Sequence, residues 1–123
     1  MNSKIRNRTF AVTLATIAAT SAMAFTGIYA LLTMDGSLRP GEKDTYYVTL
    51  RPGTYEASAL ANRGDLDMVV YGANGAKLGE DILEDNYPIV EFRVTREQRV
   101  KIVVNNYEGV SDTASYEGEL VRK

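Results

Sequence analysis

From Gly36 to the C-terminus the chain alternates apolar and polar residues with period two, in six separate runs. Tyr46, Val48 and Leu50 alternate with Thr45, Tyr47 and Thr49. Tyr55, Ala57, Ala59 and Ala61 face Glu56 and Ser58, and Leu66, Met68 and Val70 alternate with Asp67, Val69 and Tyr71. The same pattern holds for Val90, Phe92 and Val94, for Val100, Ile102 and Val104, and for Tyr116, Gly118 and Leu120. Successive side chains of a strand point to opposite sides, so each run reads as a strand buried on one face. No segment after Gly36 carries a 3.6-residue apolar stripe. The spacing therefore predicts six or seven short strands, packed as two sheets or closed as a small barrel.

Turn chemistry separates the runs. Arg39-Pro40-Gly41 and Arg51-Pro52-Gly53 read as type II turns, with proline setting φ and glycine taking the left-handed position. Asn74-Gly75 reads as a two-residue hairpin turn. The tetrapeptide Leu-Arg-Pro-Gly occurs at Leu38 and again at Leu50, as reused turn chemistry and not as a repeat.

The first third of the chain has a different character. Met1 to Arg8 is polar and positive, Phe10 to Ala24 is uncharged, and Ala22-Met23-Ala24 fits a signal-peptidase site. Basic, apolar and small-x-small segments in that order predict a signal peptide over 1–24. The uncharged stretch from Thr9 to Met34 is also long enough for a membrane anchor over 9–34. Either way an N-terminal hydrophobic helix precedes a single domain over 36–123. The expected location is periplasmic or secreted, or at the inner membrane if the anchor is retained.

Composition excludes several function classes. Cysteine and histidine are absent, which removes disulfides, thiol nucleophiles, the commonest general base and the commonest metal ligand. Without Lys4, Arg6 and Arg8 the chain has 11 basic against 16 acidic residues, a net charge of −5. An acidic domain has no electrostatic reason to bind nucleic acid, and a membrane enters only through the N-terminal segment.

Several stretches resemble the bacterial pre-peptidase C-terminal domain family. One is the order Gly36…Leu38…Pro40-Gly41-Glu42…Asp44…Tyr46…Val48…Leu50…Pro52-Gly53-Thr54-Tyr55. Another is Asp65-Leu66-Asp67-Met68-Val69-Val70-Tyr71 followed by Asn74-Gly75. Val100 to Asn105 and Tyr116 to Val121 are similar to the family's last two strands. The resemblance implies an all-β, jelly-roll-like β-sandwich. It also implies association with secretion, folding or substrate attachment beside a secreted peptidase and, in some collagenases, with calcium and collagen. No peptidase segment precedes the domain in this sequence, so a role tied to an attached catalytic domain is not expected.

Two constellations are candidates for binding. Asp65 and Asp67, with Asp81 and Asp85 from the acidic stretch Glu80 to Asn86, offer carboxylates for calcium. The plainer alternative is a loop cap, an outward aspartate and a solvated acidic loop. Tyr47 and Tyr71 face outward by strand count, while Tyr87 and Tyr107 fall in loops. Exposed aromatics stack on sugars or peptide side chains, or else simply pack over sheet edges. No nucleophile–base pair or phosphate loop is present, so no enzyme activity and no cofactor other than calcium are expected. The sequence thus points to an exported, non-catalytic binding or accessory module engaging a protein, peptide or glycan. A structural envelope protein tethered by its N-terminal helix is the alternative.

Overall fold

The computed structural model describes residues 7–12 and 30–123. They form nine strands: β1 (Asn7–Val12), β2 (Ala30–Leu38), β3 (Lys43–Leu50), β4 (Gly53–Ala61), β5 (Leu66–Tyr71), β6 (Lys77–Asp81), β7 (Ile89–Val94), β8 (Gln98–Asn106) and β9 (Ala114–Arg122). All six alternating runs are strands, and their apolar members are the buried ones apart from the partly covered Gly118. One sheet has the order β1-β3-β8-β5-β6, the other β2-β9-β4-β7. Every pairing is antiparallel except β1 with β3. From β2 onward the chain changes sheet at each connection except the β5–β6 hairpin. The two inner faces then meet as a β-sandwich.

The core lies between the sheets. Val48, Leu66, Met68, Val70, Val100, Ile102 and Val104 line it from the five-stranded sheet, all with zero exposure. Tyr55 and Phe92, paired across β4 and β7, stack with ring centroids 5.8 Å apart.

Four expectations need correction. The domain boundary at Gly36 falls inside β2, whose Leu32, Met34 and Leu38 are core residues. Leu32 and Met34 blended into the preceding apolar run, so their alternation carried no separate signal. Residues 30–34 of the anchor interval are thus part of a sheet. The acidic stretch begins one element early, because Glu80 and Asp81 belong to β6. This strand lies at a sheet edge and lacks clean alternation, its residues being exposed or half-buried throughout. The β5–β6 hairpin closes around three residues, since Gly75 N donates to Gly72 O and Gly72 N donates to Ala76 O. Gly75 takes φ 87°, as in a type I turn followed by a left-handed residue. Finally, Arg39-Pro40-Gly41 is a type II turn, with Glu42 N bonded to Arg39 O and Gly41 at φ 86°, but Gly53 has no positive φ and starts β4 directly. The expected N-terminal helix falls mainly on residues 13–29, outside the described residues, as does the Ala22-Met23-Ala24 site.

Polar groups inside the sandwich are paired across it. The Tyr116 hydroxyl on β9 donates to Asp44 Oδ2 on β3 at 2.6 Å and meets the Tyr46 hydroxyl at 2.5 Å. Burial first, then these bonds, push the Tyr116 phenol well above its ordinary range. Glu42, 2% exposed, accepts from Arg39 N and from both Nε and Nη2 of the Arg39 guanidinium.

At the same end sits Asn106, with zero exposure. Its Oδ1 accepts from Asp65 N, and its Nδ2 donates to Leu38 O and Asp112 O. Its backbone N donates to Glu42 O, and its carbonyl accepts from Gly41 N. One residue therefore fastens β2, the β2–β3 turn, the β4–β5 loop and the β8–β9 loop. Asn106→Ala is expected to orphan one buried donor and two acceptors and to cost on the order of 3–5 kcal/mol by urea unfolding. A loss below about 1 kcal/mol would show that the loops close without it.

Candidate functional site

The outer face of the five-stranded sheet gathers aromatic and cationic side chains in one row. Tyr47 on β3 and Tyr71 on β5 are both register partners of Lys101 on β8, which lies between them. Period two puts all three on the outer face, because their neighbours Tyr46, Val70 and Ile102 point into the core. The Arg99 guanidinium sits 4.4 Å from the Tyr47 ring centroid, and Lys101 Nζ sits 4.8 Å from that of Tyr71. A cation over a ring face is drawn by the ring quadrupole and holds the aromatic plane in place. The β5–β6 turn rises beside this row, so Tyr47, Arg99, Lys101, Gly72, Ala73 and Gly75 line a recess of about 500 Å³. Among the described residues, no carboxylate lines it.

The other two expected aromatics lie elsewhere. Tyr87, 50% exposed, is in the β6–β7 connection and borders the outer face of the opposite sheet, beside Leu60. Tyr107, 49% exposed, follows β8 in the loop to β9. The four tyrosines therefore do not form one surface; only Tyr47 and Tyr71 share a row.

The four aspartates lie within electrostatic reach of one another, since the Asp67 carboxyl feels the charges of Asp65, Asp81 and Asp85, but they do different work. Both oxygens of Asp81 accept backbone N–H bonds, from Leu83 at 3.2 Å and Ile89 at 2.9 Å. Asp85 Oδ1 accepts from Tyr87 N at 2.8 Å. These two shape the β6–β7 connection. Asp65 and Asp67 lie together at the start of β5, each with a buried Oδ1 lacking a hydrogen-bond partner. Burial and the nearby Glu84 raise the Asp65 carboxyl above its usual range. Burial and then the charge of Asp65 push Asp67 up to about 6, while a hydrogen bond from Asn105 works against both. Asp67, half-buried and bonded by Asn105, is thus not the freely solvated residue of the plainer alternative. Calcium takes six to eight oxygens, and among the described residues no three carboxylates converge into a group that could hold a metal ion. No binding step is assigned to the four aspartates.

No family model matches the sequence, and no curated protein matches it. Solved structures do match in shape. The pre-peptidase C-terminal domain of collagenase from Bacillus anthracis superposes with a TM-score of 0.63 at 15% identity, over 98% of this chain and 99% of that one. The chain has the fold of a pre-peptidase C-terminal domain. The same fold is shared by PliG of Aeromonas hydrophila, a periplasmic inhibitor of g-type lysozyme, with a TM-score of 0.62 at 9% identity over 96% and 100% of the chains. It is shared too by CorA of Methylomicrobium album BG8, a surface-associated copper-binding protein, with a TM-score of 0.56 at 9% identity over 97% and 98%. Among the described residues of this pre-peptidase-type sandwich, no helix is long and apolar enough to cross a membrane.

The Asp67 environment sets a pH dependence. Its folded pKa lies above the usual 3.8, so between about pH 4 and 6 the native state holds a proton that the unfolded chain has lost. This group therefore destabilises the fold increasingly as pH rises through 6. Asp67→Asn is expected to melt higher than the wild type at pH 7.5 or so, with the gap closing toward about pH 4. A gap that is constant across that window would show that Asp67 titrates normally.

Proposed function

We propose that this chain is an exported, non-catalytic binding module of the bacterial cell envelope, with a jelly-roll-like sandwich that presents the Tyr47–Lys101–Tyr71 row to its partner. The observation that carries this reading is the row itself, with Arg99 beside it and no carboxylate among the described residues that line the adjoining recess. Tyrosine supplies a broad apolar face at low conformational cost, and its hydroxyl remains available for hydrogen bonding. Two cations on the same surface favour a partner that brings carboxylates, as an acidic stretch of a protein or peptide or as an acidic glycan. Neighbours of the same fold support a binding role. PliG is named as an inhibitor of another protein, and CorA as surface-associated.

Export rests on the basic, apolar and small-x-small order of residues 1–24. β1 lies within that segment. A mature chain beginning near Phe25 keeps β2 to β9, which form two four-stranded antiparallel sheets without it. Intact mass of the protein from a bacterial periplasm or medium is expected to correspond to a chain starting near Phe25. The full-length mass, recovered from membranes, would place the protein on a retained anchor instead.

The binding surface is tested by pull-down from envelope extract, with purified g-type lysozyme offered in parallel as a defined protein. Tyr47→Ala combined with Tyr71→Ala is expected to lower partner retention about tenfold, as the loss of two central aromatic contacts does. Both side chains are on the outer face, so the melting temperature should stay within a few degrees of wild type. Undiminished retention by the folded double variant would exclude this surface.

A further inference from the structure

The opposite face of the sandwich has a different chemistry. On the outer side of the four-stranded sheet, Leu60 is 55% and Ile89 42% exposed, and both adjoin Tyr87 at the β6–β7 connection. Leu60 separates two surface recesses, one shared with Asn62, Ser115 and Glu117, the other with Ser58, Tyr87, Glu117 and Glu119. Large aliphatic side chains in contact with water forgo the stabilisation that burial brings.

Carboxylates surround these apolar groups. Glu117 is the register partner of Leu60 on one side and of Asp35 on the other, and Glu119 is the partner of Ser58 and Thr33. Glu56 lies opposite Glu91. Glu56–Glu91 is thus a like-charge pair directly across adjacent strands, an arrangement that opposes sheet formation. Lys123 Nζ, 3.7 Å from Glu56, offsets part of this repulsion. Among the described residues, the Glu117 and Glu119 side chains have no ion-pair or hydrogen-bond partner.

We infer that this face is a docking surface for a cationic protein segment, one that sets aliphatic side chains against Leu60 and Ile89 and lysine or arginine against Glu117 and Glu119. The charge pattern selects that occupant. A second copy of this face would set glutamates against glutamates, and an anionic membrane would be repelled. A cationic segment neutralises Glu117 and Glu119 and covers the exposed aliphatics in one step. The inference goes beyond the Tyr47–Tyr71 surface and uses none of its residues.

The test uses the full chain and three short capped peptides, one of lysine flanking two leucines, one of lysine alone, and one of glutamate flanking two leucines. The lysine–leucine peptide is expected to bind, with amide shifts in NMR spectra confined to the strands around Leu60, Ile89, Glu117 and Glu119. The other two are expected to bind at least about tenfold more weakly, because each lacks half of the complementarity. Leu60→Ser, and separately Glu117→Gln with Glu119→Gln, should each weaken binding about fivefold to tenfold, while Tyr47→Ala with Tyr71→Ala should leave it unchanged. Glu91→Gln should also raise the melting temperature at low salt, by relieving the pair with Glu56. Equal binding of the lysine-only peptide, shifts on the Tyr47–Tyr71 face, absence of binding, or dimerisation blocked by Leu60→Ser would each overturn the inference. Shifts on the Tyr47–Tyr71 face would do so while leaving the binding-module reading intact.

Discussion

The sandwich is held in register at one end by a single buried amide. Asn106 is fully enclosed, and its side chain and backbone together make five hydrogen bonds to four different segments. An amide suits this place because it donates and accepts at once, and a chain that changes sheet at almost every connection leaves both kinds of backbone group stranded where loops converge. Burying them without partners would cost a large part of the stability of so small a domain. The Asp44–Tyr116–Tyr46 chain serves the interior in a related way, because its hydrogen bonds cross from one sheet to the other and fix how the two inner faces align.

With the interior closed by these networks, the outer faces are free of structural duty, and they differ. The five-stranded sheet carries tyrosines with cations laid over them. The four-stranded sheet carries glutamates around exposed aliphatics. Binding surfaces on sheets of this kind are rigid, since each side chain is positioned by a strand and not by a loop. The formal net charge of −2 for the whole chain conceals this separation.

Much of this was legible by parity. Counting every second residue placed Tyr47 and Tyr71 outward, and the same count from Val100 through Val104 reaches Asn106 and not its neighbour Asn105. Backward from Tyr46 it reaches Asp44 and Glu42, which are buried as well. A polar residue in core register is the signal for the hidden network, but it is a weak one because polar residues ordinarily end an apolar run. β2 was hidden for the opposite reason: its apolar residues continue a stretch that already reads as leader or anchor. Asp81 could not be placed by its sequence, since a carboxylate that caps a loop and one that ligates a metal have the same neighbours in the chain.

The positions and the inward and outward parity of the six alternating strands, the lack of thiol and imidazole chemistry and the acidic balance were determined by the sequence alone, because each is a local or compositional property. Which strands adjoin was decided only in three dimensions. Lys101 comes between Tyr47 and Tyr71, and Leu60 beside Glu117, through pairings between residues 30 or more positions apart, the nearest being Tyr71 with Lys101 (101 − 71 = 30). Such pairings are set by backbone hydrogen bonding and by the packing of two whole sheets, and no local pattern of residues encodes them.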